Sequence, residues 1–589
     1  MSVEAPSSDV GRTRARPWAP AALALLAALT SAPSLRYPLF GDDYIHISRT
    51  NEIRADPIDG LARAWILRES DSGAWWTEPG LEVKYFRPLV ALTFVADRLA
   101  WGDAAAGYHA TNLALHVATT MVVFALSRRL LPSLRSAVVA ATLFALHPAH
   151  SEAIVWVSAR TDLLCALLYG AAFLGYLRAR SGAFAVRSHA AWMLAFALAL
   201  AAKEMAVTFP LVVATYESCL RRGDRLRPRT AGPLAAAAIV LAYLALRTQA
   251  VGSIALPPRP FAFDAADPGA LARALVASAQ YLVNLVLFVP AEPMITGPFW
   301  SAHPVWLAVV AAVAAAVFAR SATSVGDRRL LLFGIGWTVV TMLPVLMITV
   351  GERFLYLPSI GYCLALGAQP FPNERSGRSR TGVELVATAA LLAIVLIAKN
   401  EVYGVVAARS RIPIDDAAAA LDGAPAARAL LVADLPLASV LGFPHAVALA
   451  RPQRQIDVQI LSIAPQFLRP DREFSSSISM RGGTVTIRAE RAPYLGTYLE
   501  RAFLGPRRLS PGDRIRRAAF DVRIDAATGD RLQAFEVRPR PELAPLLLVG
   551  RGLRLVPLAP PPTASAATAR GGRSAPTADG RSAGRPESR

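Results

Sequence analysis

The sequence predicts an all-α polytopic membrane core of about eleven spans, followed by a small α/β or β-rich soluble domain and a disordered tail. Three observations lead there. First, 54% of the 589 residues are hydrophobic and 18% are charged, whereas soluble domains carry roughly a quarter charged residues. Second, apolar runs recur through the first four hundred residues at lengths near the roughly 20 residues a membrane helix needs. Third, beyond residue 400 those runs give way to short segments with strand-like patterning. A mean hydropathy of +0.38 excludes an ordinary cytosolic enzyme. The net charge of +19 falls between apolar runs, the pattern of cytoplasmic loops rather than of a nucleic-acid-binding face. Cys165, Cys219 and Cys363 lie inside apolar runs and make neither a disulfide framework nor a zinc set.

Residues 1–17 form a cytoplasmic segment whose Arg12, Arg14 and Arg16 set the N-terminus inside. Spans are expected at 18–35, 108–127, 136–150, 162–178, 189–203, 205–220, 232–249, 303–320, 329–350, 354–369 and 383–400. The stretch 269–290 is apolar but interrupted by Arg273, Gln280 and Asn284, and is read as interfacial or re-entrant. That choice puts the arginine clusters at 128–135, 178–187, 221–229, 320–329 and 375–380 on one side. Cleavage of the first span as a signal peptide would invert this pattern. The expected organisation is a membrane domain over 18–400, a linker at 401–411 and an extracytoplasmic domain over 412–558, in a bacterial inner membrane. Ala429–Asp434, Ile456–Ile463 and Thr484–Ala489 read as strands, and Phe520–Ile524 and Leu532–Val537 flank the turn signal Ala527-Thr528-Gly529-Asp530. Residues 559–589, rich in Pro, Ala, Ser, Thr, Gly and Arg, cannot bury a core.

In this topology the polar clusters share one face of the membrane. They are Phe40-Gly41-Asp42-Asp43-Tyr44, then Lys84-Tyr85-Phe86-Arg87-Pro88 and Gly107-Tyr108-His109, then His147-Pro148-Ala149-His150-Ser151-Glu152 through Trp156 to Arg160 and Asp162. Lys203-Glu204 and Gly351-Glu352-Arg353-Phe354-Leu355-Tyr356 complete the set. Ionisable groups at membrane depth are costly, so their convergence marks a site.

Each cluster also has a plainer reading. Neighbouring side chains diverge, so at most one of Asp42 and Asp43 points at a substrate; that one accepts a proton from an acceptor hydroxyl. Arginines at a membrane edge ordinarily snorkel to headgroups. Arg87, Arg160 and Arg353 lie against the inside bias, however, which favours pairing with phosphate. Lys203 is one of three lysines in the chain, with Lys84 and Lys399. For His147 and His150, capping and structural hydrogen bonds are the default. Their spacing beside Glu152 leaves a divalent cation open, but the motif is weak and no metal ligand or cofactor is assigned. On a continuous helix, Glu152, Trp156 and Arg160 would share a face. No Walker loop is present, and Gly334-Ile335-Gly336 lies inside a span as a helix-packing element.

Taken in order, these motifs resemble the membrane core of the transmembrane-and-tetratricopeptide-repeat O-mannosyltransferases and their bacterial relatives. That group belongs with the protein O-mannosyltransferases in the GT-C superfamily of polyprenyl-phosphate-sugar-dependent glycosyltransferases. The resemblance covers about residues 18–370. It implies an inverting transfer from a polyprenyl-phosphate sugar to a protein, lipid or glycan hydroxyl on the outer face. It further implies a base at Asp42 or Asp43, and donor phosphate held by Arg87, Arg160, Lys203 and Arg353. Tyr85, His109, His147, His150, Glu152, Trp156, Glu204, Glu352 and Tyr356 are then the candidate substrate-binding groups. Tetratricopeptide repeats, frequent in such relatives, have no counterpart after the last span. The competing classes are a transporter or flippase of lipid-linked glycans and a non-catalytic envelope scaffold. Clusters confined to helix ends favour chemistry at a surface over transit.

Overall fold

A computed structural model describes residues 18–180, 185–220, 230–252, 270–287, 304–323, 327–346, 350–369, 378–464, 476–491, 493–505, 507–529 and 531–558. The N-terminal segment 1–17, the arginines at 221–229, Asp530 of the turn signal and the tail 559–589 lie outside the described residues.

The core is helical and apolar, as its composition demands. Among the described residues, six helices are long and apolar enough to cross a membrane. The count is seven if Leu134–Ala145 and Pro148–Val155, bent by 44° at their junction, make one span. Arg187–Ala202, Ala274–Leu287 and Val305–Ala316 are shorter apolar helices. The runs at 205–220 and 354–369 divide into a 3-10 turn and a short helix, Glu204–Thr208 with Phe209–Cys219 and Glu352–Leu355 with Pro358–Gly367. Proline stands in the first turn of both short helices, where its missing N–H is harmless. The expected count of about eleven includes these shorter pieces. Helices Arg328–Met342 and Pro358–Gly367 cross where Gly334 meets Gly361. A Cβ on either residue would fall within 2.6 Å of the other's carbonyl oxygen, so Gly334 serves helix packing.

Where a linker was expected at 401–411, the last long helix continues from Arg378 to Asp422 with Pro413 inside it. The reason is a sustained apolar stripe. Tyr403, Val406, Ala407, Ile414, Ala417, Ala418 and Leu421 are buried at helical spacing. Beyond it the chain is β-rich. A five-stranded antiparallel sheet runs in the spatial order Ser476–Arg481, Thr484–Ala489, Arg531–Pro539, Phe520–Thr528, Arg514–Arg516. Its long central strands alternate buried and exposed residues, as strands with one wet face do. A four-stranded mixed sheet places Ala429–Ala433 between parallel neighbours Leu546–Arg551 and Asp457–Ile460. All five of its residues are buried, as expected of a strand covered on both faces.

This β-rich region docks on the segment that follows the first span, which carries helix Asp43–Ala55 and the small hairpin Ile66–Arg68/Glu82–Lys84. The Ile460 N–H donates to the Gly73 carbonyl at 2.6 Å, and the Trp75 indole donates to the Leu461 carbonyl at 2.9 Å. The Arg517 guanidinium donates to the Trp75 carbonyl at 2.5 Å.

Candidate active site

A cavity of about 250 Å³ lies where the ends of the core helices, the segment after the first span and the β-rich region meet. Asp42, Tyr85, Arg87, Trp156, Lys203, Glu204 and Arg353, all read from the sequence as site residues, line it.

The two aspartates have separate fates. Gly41 takes a positive φ of 63°, turning the chain into helix Asp43–Ala55. Asp43 faces inward. Its carboxylate accepts from the Ser158 N–H at 2.7 Å, the Ser158 hydroxyl at 2.6 Å and the Phe40 N–H at 3.1 Å. Asp42 faces the cavity, and its Oδ1 is buried without a hydrogen-bond partner among the described residues. One helical turn on, His46 brings Nε2 to 3.8 Å from Asp42 Oδ2. Burial works against charge on Asp42, but His46, Ser158 and the Arg353 cation outweigh it and hold the carboxyl below its ordinary value. Burial and the adjacent Asp42 charge push Asp43 up to about 7. Desolvation lowers His46 below its usual value and favours the neutral ring.

The cations arrive already paired. Arg87 grips Glu204 with Nη2 and Nε at 2.8 and 3.1 Å, while its guanidinium lies 4.3 Å from the Tyr85 ring centre and 5.0 Å from that of Trp65. Lys203 Nζ is 2.6 Å from both oxygens of Asp162 and 4.6 Å from the Phe354 ring. Arg353 pairs with Glu152 and spans the Trp156 and Phe354 rings at 4.8 and 4.5 Å. Its backbone N–H also donates to Glu152 at 2.9 Å. A carboxylate at its back fixes each cation's position and keeps a partly buried charge affordable.

Other expected site residues stand away from the cavity. Arg160 is fully buried against Asp97 at 2.6 Å, with Nε donating to Asn112 at 3.1 Å. The shared face expected for Glu152, Trp156 and Arg160 does not form, because helix Ser151–Val155 ends at Trp156 in extended backbone and a new helix starts at Arg160. Glu152 therefore backs Arg353 while Trp156 reaches the cavity. His150 Nε2 bonds the Ser359 hydroxyl at 2.9 Å, and His147 Nε2 bonds the Leu285 carbonyl at 3.1 Å. The Tyr356 hydroxyl meets His116 Nδ1 at 2.8 Å. His109 is buried, edge-on to Tyr37. Glu352 accepts from Asn284 at 2.8 Å and pairs with Lys399 at 2.7 Å. Among the described residues, no group of three or more His, Cys, Asp or Glu is arranged to hold a metal. The geometry of His147, His150 and Glu152 follows from their separate partners.

Sequence reasoning passed over His46, Trp65, Asp71 and Ser158, and every cavity residue from beyond position 400, among them Val440, Gly442 and Phe503. His46 carried a usable signal, standing four residues after Asp42 where a helix brings side chains together. The C-terminal residues carried none, since their approach is purely tertiary.

Comparison with known proteins adds to this geometry. No family model matches the chain. It is similar to protein O-mannosyl-transferases. Homo sapiens protein O-mannosyl-transferase TMTC4 is 28% identical over 347 residues, covering 48% of this chain and 46% of that protein. Drosophila melanogaster protein O-mannosyl-transferase Tmtc1 is 40% identical over 126 residues, 21% of this chain and 14% of its own length. The chain thus spans less than half the length of these relatives. The resemblance to O-mannosyltransferases read from motif order stands in these matches. Among solved structures, ArnT from Cupriavidus metallidurans bound to undecaprenyl phosphate aligns with a TM-score of 0.42 at 15% identity, over 74% of this chain and 88% of that one. The archaeal oligosaccharyltransferase AglB from Archaeoglobus fulgidus, in complex with an inhibitory peptide and a dolichol-phosphate, aligns with 0.40 at 14%, over 75% and 64%.

Proposed function

We propose that this multi-pass membrane protein is a glycosyltransferase. It moves a sugar, with mannose the first candidate, from a polyprenyl-phosphate donor to a hydroxyl acceptor on the extracytoplasmic face, with inversion. The observation that carries the reading is Asp42. Among the carboxylates of the cavity, Glu204 is held by Arg87 and Asp71 by Arg49 and His445, whereas Asp42 keeps a buried oxygen unbonded. Such an atom is expensive unless it has work to do.

In this reaction the acceptor oxygen attacks the anomeric carbon from the side opposite the phosphate. The sugar–phosphate C–O bond breaks, and its electron pair leaves on the lipid phosphate. Asp42 takes the hydroxyl proton, which its depressed pKa allows at neutral pH. Arg353, Lys203 and Arg87 face the phosphate that gains charge, and their fixed positions avoid reorganisation as that charge develops. Asp43 holds the turn against Ser158, and Trp156 lines the cavity under the Arg353 guanidinium as the aromatic wall of the sugar site. Arg160, placed by the resemblance on the phosphate, is here a strut of the core.

The test is transfer from a panel of polyprenyl-phosphate sugars in purified membranes, with product mass measured for wild type and Asp42→Asn. One donor should yield a product, and Asp42→Asn should abolish it while still binding that donor. Product formation unaffected by Asp42→Asn, or movement of donor across the bilayer without transfer, would reject the assignment. For orientation, cysteines at the exposed Ile58 and at Gly483 should react with an impermeant reagent from outside intact cells.

A further inference from the structure

The β-rich C-terminal region meets the residue before the candidate base, Gly41, with no room for a side chain. Gly442 has a φ of +74° and starts helix Phe443–Ala450. A Cβ on Gly442 would fall 2.4 Å from the Gly41 carbonyl oxygen and 3.5 Å from Ile45 Cγ1. That carbonyl belongs to the peptide whose nitrogen is Asp42's, so its plane sets the direction in which Asp42 leaves the backbone. Helix Phe443–Ala450 is held along helix Asp43–Ala55 by His445, whose Nδ1 is 2.7 Å from the Ser48 hydroxyl and whose Nε2 is 2.9 Å from Asp71. Val440, Leu441, Leu499 and Phe503 continue the same wall of the cavity.

We infer that Gly442 is a positioning residue: the C-terminal region completes the catalytic site by seating the Gly41–Asp42 peptide against a residue with no side chain. Only glycine meets both demands there, a left-handed backbone and direct contact with a carbonyl. The kinetic part of this inference rests on the transfer reading above, while its structural part does not.

The experiment compares Gly442→Ala with Gly483→Ala in the full-length protein. Gly483 has a nearly equal φ of +77° but nothing within 4 Å of a built Cβ, so it reproduces the backbone strain without the contact. Gly442→Ala should lower kcat on the order of 100-fold, the cost of displacing a reacting group by about 1 Å. Affinity for the polyprenyl-phosphate sugar should hold, and the acid limb of the pH profile should move upward as Asp42 leaves His46 and Arg353. Gly483→Ala should match wild type in all three. An activity-free readout is carbodiimide labelling of Asp42 followed by peptide mass. Labelling should speed up several-fold in Gly442→Ala, because carbodiimides need the protonated acid. If Gly442→Ala does not assemble, His445→Ala, which frees the same helix, should change labelling in the same direction. Equal labelling in the tested variant and Gly483→Ala would overturn the inference. Absence of transfer by wild type from every donor would instead overturn the proposed function and leave the labelling result to decide this one.

Discussion

Two polar layers stand near one another, and each contains residues that look like site candidates in the sequence. One is the cavity layer of Asp42, Arg87, Lys203 and Arg353. The other is the layer of His116, His147, His150, Tyr356 and Ser359, buried among helices. They differ in what their polar atoms face. In the histidine layer, His116, His147 and His150 each bond a hydroxyl or carbonyl of a neighbouring helix at 2.8–3.1 Å. Among the described residues His150 Nδ1 is unbonded like Asp42 Oδ1, but none of the layer lines the cavity. In the cavity layer Asp42 has an unbonded oxygen, and the cations, though paired, show a second face to open space. Cost alone therefore does not identify a functional residue in a membrane. A costly group walled in by protein is architecture, and one that leaves an atom facing a cavity is available for chemistry.

Asp42→Asn puts the most weight on this contrast. Transfer should fall by about 10²–10⁴-fold, the usual worth of a general base, with the melting temperature little changed, because the backbone bonds from Ile45 and His46 go to the Asp42 carbonyl, which Asn keeps, and not to its carboxylate. A comparable loss for His147→Phe would erase the distinction between the layers.

Arg353→Ala comes next. Donor affinity should drop about tenfold or more, the loss of one charge-assisted contact. Stability should also fall, by about 3–5 kcal/mol, because Glu152 is left charged and nearly buried. Adding Glu152→Gln should restore the melting temperature and leave donor binding weak. Recovery of both would place Arg353 in the architecture.

A smaller effect separates the two aspartates by pH. Asp43 is raised to about 7 in the folded protein, so the native state holds its proton more tightly than the unfolded chain does. Its contribution to stability is then greatest in acid and is lost as pH rises through about 7. Thermal melts should show that slope, and Asp43→Asn should flatten it. Asp42, lowered, has the opposite sign: its share is present at neutral pH and is lost only in acid.

The smallest change belongs to the histidine layer. His150→Phe should cost about 1 kcal/mol of stability by removing its hydrogen bond to Ser359, whose hydroxyl still donates to the Tyr356 carbonyl at 2.8 Å, with donor affinity and kcat near wild type. A loss of transfer without a loss of stability would move His150 into the site.

Much of this was legible from residue types. Apolar runs located most of the helices, turn chemistry and alternation located five of the strands and missed others such as Ser476–Arg481 and Leu546–Arg551, and seven of the fifteen candidate site residues line one cavity. The failures share a cause. Glu152, Trp156 and Arg160 looked like one helical face, but the helix breaks at Trp156, which no local signal announced. Residues 401–411 looked like a linker by composition, yet their apolar stripe finds a partner surface and the helix continues.

Hydropathy and charge asymmetry belong to the chain as a one-dimensional string, and they suffice for a helical membrane core bearing acidic and basic residues at its helix ends. Which carboxylate stays open depends on distances between segments far apart in that string. Ser158 claims Asp43 across 115 positions, and Gly442 backs onto Gly41. Hydrogen bonding is short-ranged and saturable, so a polar side chain becomes strut or reagent only when packing has settled which neighbours reach it first.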